Sequence, residues 1–166
     1  MPRWEPDQTV EQSLLERLID LEPKNATEQP VTRAQSVRQL KASLRRDLEW
    51  LLNTRRTPEA VGGNFQELER SLFNYGLQDL TTLNWESTHD RMYLARMIET
   101  VLGAFEPRLR RIKVSPVGDL SANQHVLRFQ IDGLLDMKPV AERISFDTVL
   151  QLSSGEYQVK GDPSAG

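Results

Sequence analysis

The chain contains no cysteine, so neither a disulfide framework nor a thiolate metal site is open to it. Histidine is nearly as scarce: His89 and His125 stand far apart, without the spacing of a ligand pair. No apolar run approaches the length that spans a bilayer, and the opening MPRWEPDQ lacks the basic-then-apolar order of a secretory leader. Nor is there an excess of positive charge. Twenty-one Lys and Arg residues face 24 Asp and Glu for a net charge of −3, which speaks against a primary role on nucleic acid or a membrane surface. The expectation is a soluble, cytosolic protein without cofactor or metal.

What is present is a chain of 166 residues, enough for one domain and a tail. Its hydrophobic content of 38% is below that of an average globular chain, so part of it is expected to be unpacked in isolation. TVEQSLLERLID places Val10, Leu14, Leu15, Leu18, Ile19 and Leu21 on one helical face, with Thr9 as N-cap. The proline-bearing EPKNATEQPVTR that follows reads as a linker. A short amphipathic helix on a tether is poorly stable alone, so it should dock, either on its own domain or on another protein. A second helix is expected from Arg33 to about Thr54, capped by Thr32, with Val37, Leu40, Leu44, Leu48, Leu51 and Leu52 as its stripe. FQELERSLFNYG predicts a short helical segment closed by Gly76. A further helix runs from Ser87, a capping-box start with Asp90, to Phe105, with Leu94, Ile98, Val101, Leu102 and Phe105 facing the core.

After Pro107 the period falls to two. Ile112 and Val114; Leu127, Phe129 and Ile131; Ile144, Phe146, Thr148 and Leu150 alternate as in strands, and GEYQVKG supplies a fourth after a turn at Gly155. Clean alternation means a sheet buried on one face. Helices followed by strands mean α+β: N-terminal helices packed on one face of a small, mostly antiparallel C-terminal sheet of about four strands. The expected division is 1–32 as amphipathic helix and linker, 33–160 as the folded domain, and 161–166 as a disordered tail.

At the change of period stands GAFEPRLRR, which brings Glu106 and Arg108 to either side of Pro107. Pro107 ends the helix and biases Glu106 toward an extended backbone. A glycoside hydrolase would need one carboxyl of raised pKa, and a cation beside Glu106 acts the other way. No serine–histidine motif and no glycine-rich phosphate cradle accompanies it. Two readings remain on residue chemistry: a brace tying helix to sheet, or a rigid handle offering a carboxylate and a planar guanidinium to a partner.

SLLERLID, SLRRDLEWLLNTRR, SLFNYGLQDL and above all FEPRL, in this order and spacing, resemble the TssE family of type VI secretion baseplate subunits. These belong with the small lysozyme-like wedge proteins of contractile phage tails. The likeness runs from about Ser13 to Tyr157. It implies a compact α+β domain in a cytoplasmic baseplate, associated with a membrane only through the secretion complex. It also implies a structural subunit, not an enzyme, that binds the wedge proteins TssF and TssG and helps nucleate the contractile sheath. TssK and the sheath subunits TssB and TssC are further implied partners. In the family Glu-Pro-Arg is the wedge-binding signature, which makes Glu106, Pro107 and Arg108 the expected handle, with Leu14, Leu15, Leu18 and Ile19 as a second protein-binding patch. A likeness to sheath subunits further suggests that the C-terminal strand lies at an edge and accepts a neighbour's strand. The alternatives are a peptidoglycan-cleaving, lysozyme-like enzyme and an adaptor for an unrelated partner.

Overall fold

A computed structural model of the chain describes residues 10, 13–18, 32–58, 65–69, 71–81, 83–118, 126–138 and 140–161. The chain divides into two compact units, Met1–Leu44 and Arg45–Gly166.

In the first unit, α1 (Leu14–Leu18) leaves Leu14, Leu15 and Leu18 exposed. Ile19, the Thr9 cap and most of the expected linker lie outside the described residues. The unit also holds the start of α2 (Arg33–Asn53). Thr32 caps it reciprocally: its hydroxyl accepts from the Gln35 N–H at 3.4 Å, and the Gln35 side chain accepts from the Thr32 N–H at 2.9 Å. Buried Ser36 donates to the Arg33 carbonyl and accepts from the Val10 N–H at 3.2 Å. Leu40 and Leu44 continue the buried stripe.

In the second unit, Leu48, Leu51 and Leu52 complete that stripe. The chain leaves the helix at Thr54 and meets itself again at Leu77, whose N–H donates to the Thr54 carbonyl at 2.9 Å while Arg56 N–H donates to the Leu77 carbonyl at 2.8 Å. Gly76 makes this crossing possible. Its φ is +104°, and a Cβ there would collide with the Thr54 carbonyl. The expected helix before it is broken into α3 (Gln66–Glu69) and a 3-10 turn (Leu72–Asn74). Ser71 breaks it by bonding both the Leu68 carbonyl, at 2.7 Å, and the Phe73 N–H, at 3.3 Å. Phe65, Leu68 and Leu72 are exposed as a result, and Leu77 and Leu80 supply the core instead.

Helix α4 (Thr88–Phe105) begins at Ser87, which accepts from the Asp90 N–H. The Asp90 carboxylate does not close the box on Ser87 and reaches the Asn84 N–H instead, at 2.9 Å. Leu94, Ala95, Ile98 and Leu102 are buried. Val101 and Phe105, expected on the core face, are half-buried. Phe105 meets Tyr75 edge to face, with ring centroids 5.4 Å apart.

The strands β1 (Leu109–Val117), β2 (Val126–Leu135), β3 (Glu142–Gln151) and β4 (Glu156–Lys160) form an antiparallel meander in sequence order. The class is α+β, as the change of period predicts. Leu127, Phe129, Ile131 and Leu135 of β2, Ile144, Phe146, Thr148 and Leu150 of β3, and Tyr157 and Val159 of β4 point to one buried face. In β1 the expected alternation holds from Ile112, half-buried, to Val114, buried, and a bulge precedes it: Arg111 and Ile112 together oppose Gly133, and the register shifts between Arg110 and Lys113. Burial leaves the Thr148 hydroxyl and the Tyr157 phenol without a partner and raises the Tyr157 pKa. Among the described residues no helix is long and apolar enough to cross a membrane.

Helix side chains reach backbone groups at both sheet edges. On the free side of β4, Asn53 of α2 accepts from the Tyr157 N–H at 2.8 Å and donates to the Tyr157 carbonyl at 2.9 Å. One turn earlier, Glu49 accepts from the Val159 N–H at 3.2 Å. On the free side of β1, Glu99 of α4 accepts from the Val114 N–H at 2.8 Å. Two residues on, Pro116 has no N–H to offer. The C-terminal strand is therefore at an edge, as expected, but three backbone groups that an added strand would use, the Tyr157 N–H and carbonyl and the Val159 N–H, are already bonded. Changing Glu49 and Asn53 together to Ala should free that edge. The variant is expected to self-associate with rising concentration in sedimentation velocity, while the unaltered protein does not; identical sedimentation of the two would mean the edge is protected by other means.

Candidate partner interface

The corner between α4 and β1 is built from local backbone rules. Glu106 is the C-cap of α4, its N–H donating to the Leu102 carbonyl. Pro107 cannot continue the helix, and the chain turns so that Leu109 N–H donates to the Glu106 carbonyl at 3.1 Å. Arg108 is pinned by its own carbonyl, which accepts from the Asp136 N–H at 2.8 Å, just past the end of β2.

This turn folds the Arg108 guanidinium back onto Glu106. Nε donates to Oε1 and Nη2 to Oε2, both at 2.7 Å, a bidentate fork. Nη2 also donates to Asp47 Oδ2 of α2 at 2.7 Å. The other oxygen of Asp47 accepts from Arg46 at 3.2 Å. Two arginines and two carboxylates thus balance in one cluster. Glu106 is 5% exposed and the Arg108 side chain 24% exposed, so the pair is shielded well beyond a surface ion pair. Hydrogen bonding to Glu106 holds the Arg108 pKa above its ordinary value; burial works against this and Asp47 reinforces it. Tyr75 stands beside the cluster, its pKa raised by burial and then by the Asp47 and Glu106 carboxylates.

The residues singled out by sequence are thus placed as follows. Glu106 and Arg108 are brought together and joined inside the chain, while Pro107 is exposed at the tip of the corner. Leu14, Leu15 and Leu18 form an exposed apolar patch of the other unit, and Ile19 is outside the described residues. Sequence reasoning missed Asp47. The signal was available: Leu44, Asp47, Leu48 and Leu51 follow the spacing of an apolar stripe, and a carboxylate in such a position calls for a cation. Among the described residues no group of His, Asp and Glu is placed to hold a metal ion.

The family model for baseplate wedge protein gp25 matches residues 38–140, well over half of the chain. The chain belongs to the baseplate wedge protein gp25 family. That family includes TssE of type VI secretion. The matched stretch carries Asp47 and the Glu-Pro-Arg corner and stops before β3. Members of the gp25 family are structural components of a phage-type baseplate, which implies contact with other baseplate proteins. Comparison with curated proteins and with solved structures gives no significant match.

The cluster's geometry ranks its members. Glu106→Gln leaves Arg108 partly unpaired in a shielded site and should destabilise the free protein by about 2–4 kcal/mol. Asp47→Asn removes a more exposed contact and should cost about 1 kcal/mol. Urea unfolding followed by circular dichroism reads both; equal or reversed effects would mean that Glu106 is not the main partner of Arg108.

Proposed function

We propose that this chain is a structural subunit of a type VI secretion baseplate that binds the wedge proteins TssF and TssG and helps nucleate the contractile sheath. Membership of the gp25 family carries the reading. The exposed Pro107 and the remaining surface of Arg108, held still by Glu106, make a preorganised contact that loses little entropy on docking. Leu14, Leu15 and Leu18, with Ile19, serve as a second contact for a baseplate partner. TssK and the sheath subunits TssB and TssC are reached within the same assembly, in the cytoplasm. Sheath nucleation through strand addition at β4 requires that Asn53 and Glu49 first release the edge.

The competing reading is a lysozyme-like peptidoglycan hydrolase. Against it stands the occupancy of Glu106: both carboxylate oxygens accept from Arg108, and 5% exposure leaves no face toward a substrate cleft. A general acid needs an accessible proton in reach of the scissile oxygen. The non-catalytic reading is supported accordingly.

Affinity for a TssF–TssG complex, measured by calorimetry beside a peptidoglycan-release assay, tests both readings. The unaltered chain should bind and release no peptidoglycan. Arg108→Ala, assayed where circular dichroism shows it folded, should lose about 2–5 kcal/mol of affinity, with Arg108→Lys recovering little of it. Leu14→Asp with Leu18→Asp should weaken assembly and leave the melting temperature within a few degrees. Normal affinity in the folded Arg108→Ala protein removes the corner from the interface, and peptidoglycan release by the unaltered chain reinstates the enzyme.

A further inference from the structure

A concave site lies on the sheet, at the bulge of β1. It is an open pocket of about 370 Å³, lined among others by Arg111, Asp132, Arg143 and Ser145. None of these residues belongs to the Arg108 cluster.

Three observations say what it takes. Arg111 has φ +52°, the one non-glycine residue in the left-handed region among those described. A bulge re-aims side chains at a sheet edge, and a strained residue held there points to use. Across the pocket stands Arg143, opposite Leu134 in the β2–β3 ladder. Both arginines are exposed, and neither forms an ion pair among the described residues. The one acid in the lining, Asp132, is oriented by its neighbours: Oδ1 accepts from Ser145 at 2.8 Å and from Gln130 at 3.2 Å. Gln130 in turn donates to Ser145 at 3.0 Å.

Two guanidiniums beside one fixed carboxylate ask for a ligand that carries both an anion and a hydrogen-bond donor. An acidic peptide does. Inorganic phosphate also carries an O–H, but it crowds its charge onto one compact group beside Asp132, whereas a peptide sets its carboxylate and its N–H apart. We propose that this pocket docks an acidic segment of a partner protein, a side-chain carboxylate lying between Arg111 and Arg143 and a backbone N–H on Asp132.

The strain at Arg111 makes the idea testable without loss of the fold. Arg111→Gly removes the guanidinium and relieves the left-handed backbone at once, so its melting temperature should stay level or rise. Arg143→Ala removes the second guanidinium away from the bulge. The probe is a hexaglutamate peptide titrated into the isotope-labelled full chain at physiological salt, with hexaglutamine and inorganic phosphate as separate arms. Hexaglutamate should shift the amide signals of Gly133 and Ser145 saturably, and each variant should weaken this about ten-fold or more. Hexaglutamine should leave the signals in place, and phosphate should not displace the peptide. Unchanged binding by both variants, no shift with millimolar hexaglutamate, or equal shifts and competition by phosphate would each overturn the proposal.

Discussion

Arg108 ties the corner between α4 and β1 to two parts of the second unit that lie far from it in sequence, α2 and the end of β2. Through Glu106 it grips the end of α4, through Asp47 it grips α2, and its own backbone begins the turn into β1 and holds the residue after β2. A single planar group can do this because its donors form a rigid fork in one plane. Lysine could supply the charge but not the two parallel bonds. The corner is where helical and extended halves meet, so fixing it sets the angle at which α4 and the sheet face each other. The apolar residues of both halves then close over one another, a large but non-directional contribution.

The same helices contribute polar groups at the rim of the sheet. Asn53 behaves toward Tyr157 as one residue of a fifth strand would, accepting and donating in register, and Glu49 and Glu99 take single N–H groups. The two helices that pack on the sheet through their apolar residues thus also reach its edges through polar residues beside them. For a subunit of a large assembly this matters. Open edges would pair without selectivity, and bonding their N–H groups to helix side chains disfavours that.

Much of this was legible in sequence because it depends on period. The stripe of α2, the buried face of α4 and the alternation of β2 and β3 follow from spacing alone, and Thr32 announces its own cap. The family likeness rested on FEPRL and its companions, and residues 38–140 bear it out. What escaped depends on contacts between distant segments. Asp47 finds Arg108 across 61 positions, and Asn53 finds Tyr157 across 104. Local features misled where side chains outbid the backbone pattern: Ser71 broke the helix before Gly76, Asp90 bonded Asn84, and Phe105 stayed half-buried against Tyr75. The bulge at Arg111 has no glycine or asparagine to signal it. Arginine carries no turn signal, so only the register and the positive φ reveal it.

Asp47 and Arg108 are coupled within the free chain. A double-mutant cycle measures that coupling directly. Urea unfolding of the unaltered protein, Asp47→Ala, Arg108→Ala and the double variant should give effects that do not add, with an interaction of about 1–3 kcal/mol between the two positions. Strict additivity, with no interaction between them, would contradict the account.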